Sequence, residues 1–471
     1  MTNHVERLNP RGHGRDGYRR SSLFSREGIP ASGGCEKGFS HQPSVRQPSV
    51  RQPSVRQPSV HQPSVHQHRV LLASIIVIGL VTLDVSAVEP VFRAVEIDNA
   101  IDVGYAVTVG EMNGDGRPDI LVVDSTEIVW YENPSWTKHV ILSDAVQRDH
   151  VCIAAADVDS DGLSDIVIGA HWAPRDTVNS GSVHYLVPAA DRRKPFTPVT
   201  LPREPTVHRM RWGDIDGDHR LELVMAPLHG RGNKNFQGDG VRVLAYEVPK
   251  DKARGTWTTE VIDDGLHVVH NLELVQWDDD PADEVLLASF EGVFLCDRNA
   301  AGKWTRTQVA SGNQKTKPHR GSSEIRVGRL PDKRRYLATV EPWHGNQVVV
   351  YTPPVKAGAL WRRHVVSEQV KEGHAVACAD LFGSGHDQLL IGWRQPAGPD
   401  NTVGINLYQP ADGSGDRWTT HAIDVGGMAC EDLTVADLNG DGKPDIVAAG
   451  RATKNVKIYF NESASASARV K

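Results

Sequence analysis

Residues 148–172 read RDHVCIAAADVDSDGLSDIVIGAHW. Two apolar runs flank an acidic loop, Asp157 to Asp165, and a histidine stands at each outer end, His150 and His171. Short runs rich in Val, Ile and Ala separated by Asp and Gly read as two strands joined by a turn. Asp157, Asp159, Asp161 and Asp165 hold positions 1, 3, 5 and 9 of the loop, with Gly162 at its bend. Hard oxygen ligands at that spacing suit Ca2+.

The loop recurs. EMNGDGRPD (111–119), DIDGDHRLE (214–222) and DLNGDGKPD (437–445) are close copies, while QWDDDPAD (276–283), RLPDKRRY (329–336) and DLFGSGHD (380–387) are degraded ones. A second motif alternates with it, also seven times, from FRAVEID (92–98) and WTKHVI (136–141) to WTTHAI (418–423). Each interval has room for about four short strands, the signature of a propeller blade. The expected fold is all-β: a seven-bladed β-propeller of four-stranded antiparallel blades. The chain starts with an outer-strand motif that lacks its blade and ends, after NVKIYF, with a blade that lacks its outer strand. Residues 92–98 are therefore expected to complete the last blade and close the ring, which removes exposed sheet edges.

Glu111, Asn113, Asp115 and Asp119, and Asp437, Asn439, Asp441 and Asp445, repeat the ligand spacing of 157–165. Asp214, Asp216, Asp218 and Glu222 keep it but place His219 where the others have Gly. A structural calcium that staples each tight turn is the expectation; sensing is the poorer reading.

The 471 residues carry 52 Lys and Arg against 59 Asp and Glu, a net charge of -7, with 21 His and 11 Trp. An acidic balance without a basic patch excludes a nucleic-acid binder. Residues 1–68 form a low-complexity leader whose core, 41–65, is five copies of one Pro-containing pentapeptide, a composition of extended disordered chain. Residues 69–87 follow signal-peptide layout: His68-Arg69, an apolar run Val70 to Leu83, and a small-residue site at Val85-Ser86-Ala87. An uncleaved membrane anchor is the alternative. Either way the propeller, 88–471, is expected to be exported to the periplasm, the cell surface or beyond. Its four cysteines lie in or beside apolar runs and do not read as a disulfide framework.

The loops resemble those of the FG-GAP/VCBS propeller repeat family over 91–460. EPWHGNQVVVYTPP (341–354), EGHAVACADLFGSG (372–385) and the stretch 426–460 resemble a narrower group, similar to the propeller domain of aldos-2-ulose dehydratase, a lyase acting on oxidised sugars. That family carries cupin domains after its propeller, which this sequence does not show, so steps belonging to them are expected to be absent.

In a blade, the loop joining the innermost strand to the next lies on one face of the disc. The ends beyond the two strands lie on the other face, so the imidazoles stand opposite the acidic loops. Tyr105, His150, His208, His270, Ser323, His374 and Glu431 begin the inner strands in this reading. His171-Trp172, His229 with Arg231, Trp343-His344, Trp393-Arg394 and Arg451 follow the second strands. Symmetry converges these points on one mouth. Trp faces suit sugar rings, arginines suit a carboxylate or oxyanion, and neutral imidazoles suit proton abstraction or a borderline metal such as Zn2+.

Two readings follow. The first is a carbohydrate lyase or dehydratase: the base is one of His150, His171, His208, His270 and His374, with His150 or His171 the expected one, and an arginine such as Arg394, or a metal, stabilises the enolate. Tyr105, Trp172, His229, Arg231, Trp343, His344, Trp393 and Arg451 bind a sugar or polysaccharide. The second is a non-catalytic propeller that grips a glycan or a partner protein.

Overall fold

The computed structural model describes residues 88–466. The leader, the apolar segment 69–87 and any signal cleavage or anchoring lie outside the described residues. Twenty-eight strands form seven four-stranded antiparallel sheets. Blades 1 to 6 occupy residues 106–143, 152–201, 207–263, 269–310, 326–367 and 373–425. Blade 7 combines 430–461 with the N-terminal strand Phe92–Asp98, which pairs antiparallel with Val456–Asn461 from Phe92↔Asn461 to Asp98↔Val456. The innermost strand of each blade packs against those on either side, and the seventh meets the first.

The second strands, such as Asp165–Ala170, Glu284–Ser289 and Asp445–Gly450, are buried along their whole length. Both faces of each sheet therefore pack on neighbouring blades, which explains the continuous apolar runs that these strands present in sequence. Cys152, Cys296, Cys378 and Cys430 are unpaired.

The acidic loops are built on one recurring contact. The side-chain oxygen at the ninth position accepts the amide of the second residue in six of the seven loops. The pairs are Met112 to Asp119 (3.0 Å), Val158 to Asp165 (3.3 Å), Ile215 to Glu222 (3.2 Å), Trp277 to Glu284 (2.6 Å), Leu381 to Gln388 (2.8 Å) and Leu438 to Asp445 (3.0 Å). Gln388 keeps the contact in a loop that has lost the acidic pattern, so it does not depend on a metal. Asp119 and Asp445 also accept the amides of Asn133 and Asn461 (both 2.8 Å), whose side chains donate to Leu438 and Leu381 of the preceding blade. One carboxylate thus closes its own loop and orients the residue that ties two blades together. The sixth loop position needs a left-handed backbone. Gly162 supplies it at φ 85°, and His219 adopts it at φ 66° with the steric cost of a side chain.

Asp445→Ala removes one acceptor and leaves two buried amides unsatisfied. The expected loss is about 2–5 kcal/mol, from ~1–3 kcal/mol for each orphaned group. Asp445→Asn, which retains one carbonyl oxygen, should lose clearly less; urea unfolding measures both.

Candidate functional site

On the face opposite the acidic loops lies a cleft of about 450 Å3. Its position follows from a backbone irregularity. At the start of the inner strand, the pairing register slips by one residue at His208, His270, His374 and Glu431. Such a bulge leaves its residue out of the ladder and re-aims the side chain. Tyr105 and Val151 hold the matching place in blades 1 and 2, one residue before the pairs Ala106↔Val123 and Cys152↔Gly169.

Three imidazoles at this ring position are anchored the same way. The Nδ1 atom of His208 bonds to the carbonyl of His270 (2.8 Å), that of His270 to the carbonyl of Ser323 (3.2 Å), and that of His374 to the carbonyl of Glu431 (2.6 Å). Each link runs to the equivalent residue of the next blade. Nδ1 of His270 also lies 2.9 Å from Glu324 Oε1. With Nδ1 committed as donor, Nε2 keeps its lone pair. His344 comes from a different element, the turn after Arg335–Glu341, and stacks on Trp343 with centroids 4.4 Å apart. Its Nε2 lies 2.7 Å from Nε2 of His270. One nitrogen from each of His270, His344 and His374 falls within 4.8 Å of the others. Burial drives the pKa of His208, His344 and His374 well below the usual histidine range, and the neighbouring cations Arg209 and Arg394 add to it. These imidazoles are neutral at physiological pH, the form that ligates a metal or accepts a proton.

The rest of the cleft is two-sided. Trp172, Phe236, His319 and Trp343 form an aromatic wall; Phe236 and His319 meet Trp343 edge-on at 5.9 Å and 4.8 Å. Glu372, Arg394, Glu431 and Arg451 form the polar wall. Buried Glu431 accepts Arg394 (3.0 Å) and Arg451 (2.9 Å), and Arg394 also meets Glu372 (3.2 Å). Three polar atoms around the cleft are buried without a partner: Trp343 Nε1, His229 Nδ1 and Arg394 Nε.

Of the residues expected at the mouth, Tyr105, Trp172, His208, His229, Trp343, His344, His374, Arg394 and Arg451 line the cleft, and His270 lies in contact behind them. Five do not line it, among them Ser323, whose hydroxyl donates to the Val340 carbonyl (3.0 Å). His150 is one residue out of register: the ring position belongs to Val151, and His150 is buried with Nδ1 on the Asp124 carbonyl (3.2 Å). The left-handed backbone at His171 (φ 57°) turns the chain so that Trp172 reaches the cleft instead. Arg231 is exposed and paired with Glu204 (3.1 Å). Trp393 falls inside the long strand Gln388–Ala397, where alternation buries it, its indole bonded to Thr402 (2.8 Å). Sequence reading missed Phe236, which sits in an insertion of blade 3 with no counterpart in the repeats, and Glu324, which follows the unremarkable Ser323.

On the opposite face, the carboxylates of Asp157, Asp159 and Asp161 cluster, as do those of Asp214, Asp216 and Asp218 and those of Asp278, Asp280 and Glu284. The last group keeps an acidic set in a loop that reads as degenerate. Burial, with a lesser contribution from neighbouring carboxylates, lifts Asp119 to about 6 and Glu222 to about 7. Lys252, which no repeat pattern announces, reaches into loop 157–165 and pairs with Asp159 (2.6 Å) and Asp165 (2.7 Å).

Comparison with known proteins agrees with this architecture. Residues 112–168 match the FG-GAP-like repeat model and 153–186 the FG-GAP repeat model. Residues 180–354 match the model of the aldos-2-ulose dehydratase beta-propeller domain. The seven-bladed chain thus carries stretches similar to FG-GAP repeats over 112–186 and to the propeller domain of aldos-2-ulose dehydratase over 180–354. The curated aldos-2-ulose dehydratase of Phanerodontia chrysosporium is 25% identical over 335 residues, 66% of this propeller chain and 36% of that protein. The propeller chain thus spans about a third of its curated relative. Among solved structures, BBS1N in complex with ARL6DN is 12% identical at a TM-score of 0.47, covering 79% of this chain and 96% of that one.

Two buried imidazoles make stability depend on pH. Burial lowers both His184 and His229 to about 4 from 6.5. The unfolded chain takes these protons first, so stability is full above about pH 6.5 and falls as pH drops toward 4, by up to about 1.4 kcal/mol per pH unit for each group. Unfolding free energies between pH 7 and pH 5 should decline less steeply in His184→Asn than in the wild type.

Proposed function

We propose that this is an exported sugar lyase or dehydratase, with a divalent cation such as Zn2+ on His270, His344 and His374, and Ca2+ stapling the acidic loops. The observation that carries the reading is the convergence of these three imidazoles at the base of a cleft with one aromatic and one ion-paired wall. The donor set fits: His270 and His374 have Nδ1 committed to oxygen acceptors and leave Nε2 for a ligand, as in histidine metal sites generally. Such a cation supplies Lewis-acid polarisation of a carbonyl oxygen.

The chain's own residues do the rest. Trp172, Phe236 and Trp343 offer apolar faces to the C–H side of a sugar ring. Glu372, Arg394, Glu431 and Arg451 meet its hydroxyls and orient it. His229 is the base of choice, because it lines the cleft, is neutral and has an uncommitted Nδ1. It takes the proton α to the carbonyl or carboxylate, the C–H electron pair becomes the new double bond, and the β-oxygen leaves with the C–O pair and takes the proton back from His229. The similarity to a dehydratase named for an aldos-2-ulose supports a keto-sugar substrate. A uronate polysaccharide is a near variant, since the same groups serve β-elimination.

The test is ultraviolet absorbance of the full-length protein with anhydrofructose, glucosone and uronate polysaccharides, alongside metal analysis. Rising absorbance is expected, reduced ~10²–10⁴-fold in His229→Gln with zinc content unchanged; His344→Ala should lose both turnover and zinc. A flat trace with sugar binding retained in calorimetry would overturn catalysis and leave a glycan-binding or protein-binding propeller. For the loops, a calcium chelator should lower the melting temperature; an unchanged value would count against the staple.

A further inference from the structure

Beyond the histidine cleft, toward the acidic-loop face, the central channel holds a second chamber of about 350 Å3. It lies along the inner strands, between residues 106–108, 152–156, 209–212 and 432–434. Arg209, Arg211 and Arg326 line it, with Glu273, Asp432 and Trp212. Arg209 lines the histidine cleft as well and is the wall shared by the two spaces.

The ion pairing in this chamber is incomplete. Glu273 is taken by Arg326 (3.2 Å). Glu324, outside the lining, is shared by His270 (2.9 Å) and Arg209 (3.9 Å). Asp432 accepts the Val107 amide (3.0 Å) and forms no ion pair among the described residues. Arg211 also forms none; Nη1 donates to the carbonyl of Met210 (2.7 Å). Trp212, also in the lining, holds its indole N–H buried with no acceptor. Burial and the nearby Arg326 bring Arg211 down to about 10, so its charge is retained at a cost. Buried charges are ordinarily paired, and a guanidinium fork is matched to planar or tetrahedral oxyanions.

We propose that this chamber is a binding site for a small oxyanion, a sugar carboxylate or inorganic phosphate, held by Arg211 with Arg326 and Arg209. The three guanidiniums come from blades 3 and 5, so the anion bridges across the channel and is not held within one blade. The site is independent of any metal at the histidines.

The experiment is a thermal-shift and calorimetric titration of the full-length protein with gluconate, inorganic phosphate and sulfate, against chloride at matched ionic strength. A saturable rise in melting temperature is expected with an oxyanion and not with chloride. A response to gluconate alone identifies a carboxylate ligand, and a response to phosphate alone identifies the inorganic anion. Arg211→Gln should weaken binding about 10-fold or more in a protein that still folds. Should that variant not fold, Arg211→Lys keeps the charge but loses the fork and should bind several-fold more weakly. The proposal is overturned if no oxyanion differs from chloride, or if the folded Arg211 variant binds like the wild type. It is equally overturned if His374→Ala, and not Arg211→Gln, abolishes the response, which would assign the anion to the cleft.

Discussion

A side-chain oxygen at the ninth position of six of the seven loops holds this propeller in register. It accepts the amide at the loop's second position, and in blades 1 and 7 it also fixes an asparagine that reaches the neighbouring blade. An amide left unpaired there would cost as much as a sizeable fraction of a domain's net stability. The demand is for an acceptor, not for a charge, which is why Gln388 serves as well as Asp445. Carboxylates at positions 1, 3 and 5 are then free to vary with metal use. The acidic motif therefore contains two superposed requirements, of which only the backbone one recurs in six blades.

The architecture was legible because a propeller repeats its punctuation. Seven loops and seven outer-strand motifs set blade number and strand order, and the mismatch at the two ends of the chain placed Phe92–Asp98 beside Val456–Asn461. The site was legible only to within a residue. His150 and Val151 differ by one step, and the bulge that separates a cleft position from a buried one leaves no mark in composition. Trp393 was misplaced for a related reason: its strand runs past the point where the other second strands stop. Phe236 lies in a blade-specific insertion, where periodicity has nothing to compare, and Lys252 lies in a connecting loop that carries no shared motif. Glu324 acts through His270, and partners of that kind are visible only once side chains meet.

The cleft also shows how burial and charge divide labour. Arginines expected to face a substrate carboxylate are already engaged by Glu431 and Glu372, so the polar wall is nearly self-neutral. The imidazoles stay uncharged because desolvation outweighs every nearby carboxylate. The unpaired charge is found instead at Arg211, deeper in the channel.

The bulge residues carry one more consequence. Each stands outside the ladder of its own blade, so its identity is uncoupled from the pairing that folds the blade. His and Glu occupy the bulge in four blades, and Tyr105, Val151 and Ser323 hold the matching place in the others, where the backbone amide still bonds to the second strand. The ring behaves as a set of seven sockets around a common axis. A lineage can exchange what is plugged into one socket without renegotiating the scaffold, and so trade one chemistry for another in single steps.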